Sequence, residues 1–294
     1  MLSVNKELIK EIQNKLEVPI TGDLDYFTQA AIRNYQLKNN LSPTGIITES
    51  LVEDLNLETP TTDNSENFSK ENSFLIEKYP LPEGEYVREN TKKEYLFLHH
   101  TAGTFNPYLQ VDIWAKDKRG RIGTHYVIGG ISRNTKMLDY DGKILEVINP
   151  NFWAYHLGIN GYIHAHSVSL EICNLGYLVK KNNKFYDYTN TLVNPSNVVD
   201  LGYEFKGFRF WHKYTKKQID STENIIKKTR DDHNIDVKLG LIEKLSKEHP
   251  SKAFDYDENL AKGNVKGMLS HSNVNKSKYD IFPQEEMLNM FSKL

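Results

Sequence analysis

The chain has 294 residues, 38% of them apolar and 26% charged, enough to bury a core without covalent staples and to form roughly two domains. Its 37 basic and 39 acidic side chains leave a net charge of −2, without the basic excess that nucleic-acid binders carry. A single cysteine, Cys173, rules out an intrachain disulfide, and no stretch approaches the ~18 consecutive apolar residues of a membrane span.

The first 57 residues predict three short helices. Leu8, Ile9, Ile12 and Leu16 recur at helical spacing. The turn VPITGD follows, with Gly22 supplying conformational freedom. Asp25 is the expected N-cap of a second helix carrying Phe27, Ala30, Ala31 and Tyr35. A second turn, LSPTG, ends at Gly45, and Thr48 is placed to cap a third helix with Leu51, Val52 and Leu55. Residues 60–73, PTTDNSENFSKENS, lack apolar periodicity and have linker composition. The expected organisation is a small unit over 1–57, a linker over 58–75 and a larger unit over 76–294. The opening MLSVNKELIKEIQNKL has no apolar signal-peptide core, so the expectation is a chain made in the cytoplasm.

In the larger unit, YLFLH (95–99) is a continuous apolar run ending in a polar pair, as a buried central strand does. THYVIGG (124–130) and KILEVI (143–148) read as strands joined through the Asp141-Gly142 turn. VSLEICN (168–174) is a further strand. Residues 216–232 read as an amphipathic helix with Ile219, Ile225 and Ile226 near one face. Strands mixed with helices predict an α/β domain, helices packed on a sheet. Residues 180–266 form a long polar stretch whose one distinctive feature is the aromatic run GYEFKGFRFWHKY.

Three segments carry candidate chemistry. LHHTAG (98–103) places two histidines where a buried strand opens into a loop. Adjacent strand residues point to opposite faces, so at most one of His99 and His100 ligates a given metal. SHSNVNKSKYD (270–280) holds His271 and Asp280 nine positions apart, with Lys278 two before the aspartate. One strand histidine joined to this pair makes a His2Asp set with an open fourth position, as catalytic zinc requires. SLEICN (169–174) places Glu171 inside an apolar strand with no basic neighbour. A carboxylate there is costly unless paired or functional, and desolvation raises its pKa toward that of a general base. Each segment alone also has an ordinary reading: packing histidines, a solvated loop, a strand-edge glutamate facing water.

Residues 12–55 resemble the small peptidoglycan-binding domain attached to many wall hydrolases. LHHTAG, SLEICN and SHSNVNKSKYD, in that order and together with RIGTHYVIGG (121–130) and WAYHLG (153–158), resemble the zinc amidase family that includes bacteriophage lysozyme-type amidases and peptidoglycan recognition proteins. The resemblance covers about 76–176 and 268–283. It implies a mixed central sheet flanked by helices, preceded by the three-helix wall-binding unit. It implies His99, His271 and Asp280 as ligands of one zinc ion, Glu171 as general base and Lys278 as the oxyanion-stabilising group. It places His156 and Asn174 along the substrate groove. The implied reaction is hydrolysis of the amide between the lactyl group of N-acetylmuramic acid and L-alanine. The expected partner is bacterial peptidoglycan, with no nucleic acid or membrane, met by a monomer. The resemblance suggests a phage lysis enzyme made in the host cytoplasm and released to the wall. The alternative is a non-catalytic peptidoglycan-recognition or virion-associated protein. Two departures stand out: Thr124 occupies a position where some members carry tyrosine, and DIFPQ follows Asp280 where many carry Pro-Gly.

Overall fold

The computed structural model describes residues 5–22, 24, 26–39, 45, 47–57, 75–131, 140–159 and 161–294. The expected Asp25 cap, the Phe27 and Ala30 side chains, residues 41–44 of the second turn and the linker 60–73 lie outside what is described. The chain divides into two compact units, Met1–Ser73 and Phe74–Leu294.

The first unit holds α1 (Lys6–Lys15), α2 (Tyr26–Lys38) and α3 (Glu49–Asp54). Asn5 caps α1 by accepting from the Leu8 amide at 2.9 Å, and Thr48 caps α3 by accepting from Leu51 at 3.2 Å. Leu8, Ile9, Ile12, Ile32, Ile47, Leu51, Val52 and Leu55 meet in its core. Two buried glutamines pin the two glycine turns in the same way. The Gln13 carbonyl oxygen accepts from the Gly22 amide at 2.9 Å, and that of Gln36 accepts from the Gly45 amide at 2.8 Å, each across nine positions. Both glycines have positive φ, +72° and +73°, where a side chain is strained.

The second unit is built on a six-stranded sheet. Its strands are β1 (Ile76–Lys78), β2 (Tyr95–His100), β3 (Tyr126–Ile128), β4 (Ile144–Glu146) and β5 (Ser167–Ile172), with a late strand, β11 (Gly267–Ser270), on one edge. Between them lie α4 (Pro107–Trp114) and α5 (Gly161–Ala165). The order is β1-β4-β3-β5-β2-β11. The β3–β4 pair is antiparallel and every other pair is parallel, so the sheet is mixed, with helices on its faces.

Strand alternation divides the core in two. Leu96 and Leu98 of β2, Val168, Leu170 and Ile172 of β5 and Met268 of β11 face one side. There α6 (Lys216–His233) covers them with Ile219, Ile225 and Ile226, started by a capping box between Thr215 and Gln218. Tyr95, Phe97 and Leu269 face the other side and pack on Leu157, Ile163 and Leu260. Each such buried side chain contributes about 1.5–3 kcal/mol.

The long polar stretch, distinguished in sequence by its aromatic run, carries a second, five-stranded antiparallel sheet. It comprises β6 (Tyr177–Lys181), β7 (Lys184–Tyr186), β8 (Leu192–Val193), β9 (Val198–Phe205) and β10 (Phe208–His212), in the order β8-β7-β6-β10-β9. The aromatic run is its β9–β10 hairpin, and Trp211, fully buried, stacks on Phe282 at 4.7 Å. Short helices α7 (Leu241–Leu245), α8 (Pro250–Ala253) and α9 (Glu258–Ala261) lead into β11; α10 (His271–Val274) starts where β11 ends, and α11 (Glu285–Phe291) follows. Among the described residues no helix is long and apolar enough to cross a membrane.

Candidate active site

The site lies at the carboxyl ends of three neighbouring parallel strands, β5, β2 and β11, a common place for chemistry in sheets of this kind. β2 ends at His99 and His100, and β5 places Glu171 in register with His99. β11 stops at Ser270, whose side chain and backbone amide are both held by the Asn273 carbonyl oxygen, at 2.9 and 3.0 Å. That turn sets His271 at the start of α10. The chain then loops back, and the Ser272 amide donates to the Asp280 carbonyl at 2.9 Å, which brings Asp280 beside His271.

His99, His271 and Asp280 converge as a buried group. His99 Nδ1 is 3.0 Å from His271 Nδ1 and 3.3 Å from Asp280 Oδ2, and His271 Nδ1 is 3.0 Å from that same oxygen. A tetrahedron of ligands about 2.0–2.1 Å from zinc has edges of about 3.3 Å, so the spacing fits. The donor chemistry fits as well. His271 Nε2 is 3.1 Å from the Leu157 carbonyl, which can only accept. That contact places the ring proton on Nε2 and leaves the Nδ1 lone pair facing the group. Burial, reinforced by the nearby His271, lowers the His99 pKa to about 4, so its ring is neutral and able to ligate. Asp280 is held well below the usual carboxylate range: burial opposes its charge, but the two imidazoles beside it, His271 foremost, outweigh burial.

Glu171 and Lys278 line the same cleft, of about 540 Å³, a size that accommodates a small substrate. Glu171 is 8% exposed. Burial pushes its pKa well above the ordinary value, the Asp280 charge adds to this and Lys278 opposes it. Among the described residues no hydrogen bond or ion pair holds its carboxylate, which leaves it free to exchange a proton. Trp114, Arg119, Tyr155, Tyr177 and Tyr279 form further walls.

The two adjacent histidines separate as strand geometry requires. His99 joins His271 and Asp280, while His100 turns to the opposite face, shares a 2.7 Å hydrogen bond with the Tyr214 hydroxyl and packs on Trp211 and Phe282. His156 reaches the cleft, but both ring nitrogens are engaged, with His99 Nε2 at 3.0 Å and Ser167 Oγ at 2.7 Å. Asn174 departs from expectation. It is 1% exposed and does not line the cleft. Its amide donates to the His212 carbonyl at 2.9 Å and its oxygen accepts from the Gly176 amide at 2.8 Å, so it holds the loop between β5 and β6. Thr124 donates its hydroxyl to the Tyr126 carbonyl at 2.9 Å. His125 bridges Ser169 and the Phe152 carbonyl, and Cys173 is a buried thiol. Sequence reasoning missed Ser167 and His164 as partners of the site. Ser167 was within reach of the argument, because it lies on the Glu171 face of β5 at period two.

The sequence matches the family model described as N-acetylmuramoyl-L-alanine amidase over residues 89–280. It matches the model described as putative peptidoglycan binding domain over residues 5–55. No curated protein matches the chain. Among solved structures, the N-acetylmuramoyl-L-alanine amidase LysC from Clostridium intestinale URNW is 13% identical, with 75% of this chain and 99% of that one covered at a TM-score of 0.41. The catalytic domain of XlyA is 13% identical over 75% of this chain and 96% of its own, at 0.39. The amidase AmiD from E. coli, in complex with anhydro-N-acetylmuramic acid-L-Ala-D-gamma-Glu-L-Lys, is 16% identical over 51% and 48%, at 0.32. At these TM-scores the structural likenesses bear no further weight.

Proposed function

This chain belongs to the N-acetylmuramoyl-L-alanine amidase family, and from that premise we propose that His99, His271 and Asp280 hold one zinc ion for hydrolysis of the lactyl–L-alanine amide of peptidoglycan. The enzyme class follows from the family, and the N-terminal peptidoglycan-binding match points to the same substrate. The observation that carries the metal reading is the convergence of two imidazole nitrogens and a carboxylate oxygen within 3.3 Å of one another, beside a buried carboxylate in register with one of them.

When bound, zinc supplies a Lewis acid that brings the pKa of a water toward about 7 and polarises a carbonyl. Glu171, whose pKa burial raises, takes the proton of the attacking water at its carboxylate. The new C–O bond forms at the lactyl carbonyl, and the Lys278 ammonium faces the negative charge that develops on the carbonyl oxygen. Glu171 then passes its proton to the departing alanine nitrogen as the C–N bond breaks.

The pairing of a wall-binding unit with an amidase supports a lytic role: an endolysin-type enzyme made in a host bacterium and acting on the wall after release. Purified peptidoglycan digested with the protein, with and without a zinc chelator, tests the chemistry. Mass spectrometry should find peptides with a free L-alanine amino terminus, lost on chelation and restored by zinc. Sugar–sugar cleavage products, or activity indifferent to chelation, would sink this reading. Deletion of residues 1–57 should slow digestion of intact walls while sparing soluble muropeptides.

A further inference from the structure

The WAYHLG segment places His156 and Leu157 against both histidines of the metal group. We propose that this dipeptide is the positioning element of the site, with the His156 ring fixing His99 and the Leu157 carbonyl fixing His271 as metal ligands. The proposal rests on the zinc reading above and concerns these residues' own hydrogen bonds.

The direction of each bond can be worked out from groups that only accept. His164 Nε2 lies 3.2 Å from the Ile159 carbonyl, so that nitrogen carries the ring proton. Its Nδ1 accepts from the His156 backbone amide at 3.0 Å, which anchors the main chain of the dipeptide. The Ser167 hydroxyl donates to the His164 carbonyl at 3.1 Å. Having given its one proton there, Ser167 Oγ must accept from His156 Nε2–H, 2.7 Å away. His156 Nδ1 is then a bare acceptor, and it faces His99 Nε2 at 3.0 Å. His99 therefore carries its proton on Nε2, and its Nδ1 lone pair points at His271 and Asp280. Run in reverse, the chain would pull the serine proton off the His164 carbonyl and leave a proton on His99 Nδ1, blocking the ligand atom.

The adjacent residue does the same for the second ligand. The Leu157 carbonyl accepts from His271 Nε2–H at 3.1 Å and from the Asn275 side-chain amide at 3.0 Å. One turn thus orders the protons of both rings, although His99 and His271 are 172 positions apart. Two lone pairs and a carboxylate then converge with no proton between them, an arrangement that a cation relieves. Ligand-orienting partners of this kind typically govern metal affinity by 10–100-fold.

The test is the zinc affinity of the full chain, measured by chelator competition and independently of catalysis. His156→Phe keeps the ring volume and removes both nitrogens; its zinc affinity should fall on the order of 10–100-fold, while the far-UV circular dichroism of the zinc-free protein stays as in the wild type. His156→Gln, whose side-chain oxygen can accept from His99 and whose amide can donate to Ser167, should recover most of the loss. Ser167→Ala removes a single oxygen and serves the same purpose if His156→Phe does not fold; here too the affinity should drop. Wild-type affinity in His156→Phe or in Ser167→Ala, or an equal loss in the phenylalanine and glutamine variants, overturns the proposal. A wild-type protein that takes up no zinc overturns the zinc reading itself, and this proposal with it.

Discussion

Glu171 stands in register with His99 on the neighbouring parallel strand, so the carboxylate and the imidazole rise side by side from one face of the sheet. Under the proposed reading one strand ending supplies a metal ligand and the next a proton acceptor, and the backbone ladder sets the spacing between them.

If Glu171 is that acceptor, Glu171→Gln keeps the shape and removes the proton exchange. Its kcat should fall by roughly 10²–10⁴-fold, with zinc uptake as in the wild type. Single-turnover hydrolysis of a soluble muropeptide, alongside metal analysis, checks both halves. Near-normal turnover would remove Glu171 from the mechanism.

The same residue should leave a signature in stability. Its folded-state pKa is raised, mainly by burial, so the folded state holds the proton more tightly than the unfolded chain. Its contribution is therefore fully present below the unfolded value, about 4.3, and is lost as pH rises through the higher folded value. In the zinc-free protein, Glu171→Gln should raise Tm relative to the wild type at pH 8 and change it little at pH 4. A gain confined to the acid side would contradict the assigned direction.

His99 and His100 offer a test of face against face. His99→Ala should abolish zinc uptake. Tyr214→Phe, which deprives His100 of its 2.7 Å partner, should leave zinc uptake intact and cost about 1–3 kcal/mol of stability. Equilibrium denaturation and zinc titration of the two variants together separate the roles.

Lys278→Met retains the aliphatic stem and removes the charge. Removal of an oxyanion-facing donor lowers kcat by roughly 10²–10³-fold with little change in KM, because the interaction belongs to the transition state. A change confined to KM would instead assign Lys278 to ground-state binding.

Much of this site was legible in the sequence because it sits on regular structure. The apolar run before His99 announced a buried strand, and alternation alone separated His99 from His100. Glu171 was conspicuous as a charge among apolar neighbours. The parts that were not legible depend on contacts between distant residues. Ser167 meets His156 across 11 positions and His99 meets His156 across 57, separations that no periodicity records. Asn174 was misplaced because its partner His212 belongs to a second sheet that was not anticipated, and Gly176 to the loop that leads into it. Strands β6, β7 and β8 of that sheet are short and largely solvated, as in β6, where only Leu178 is buried, so their apolar alternation is faint, whereas β9, VVDLGYEF, alternates plainly and was passed over. The seven residues THYVIGG yield only three of strand, Tyr126–Ile128. Gly129 and Gly130 lie where an added Cβ would come within 2.3 Å of the Tyr140 and Cys173 carbonyls, which marks close backbone crossing rather than ladder.

β2 bears a histidine on each of its faces, and only His99 stands against His271 and Asp280. A slip of its pairing by a single residue would deliver His100 to the side of His271 and Asp280 and bury His99 against Tyr214 and Phe282. If His99 is a metal ligand, the strand's alignment with β5 and β11 is therefore a hidden catalytic setting. Tyr95, whose hydroxyl donates to the Gly263 carbonyl at 2.8 Å, clamps the far end of the strand. A lesion there would silence the enzyme with every proposed ligand still in its sequence.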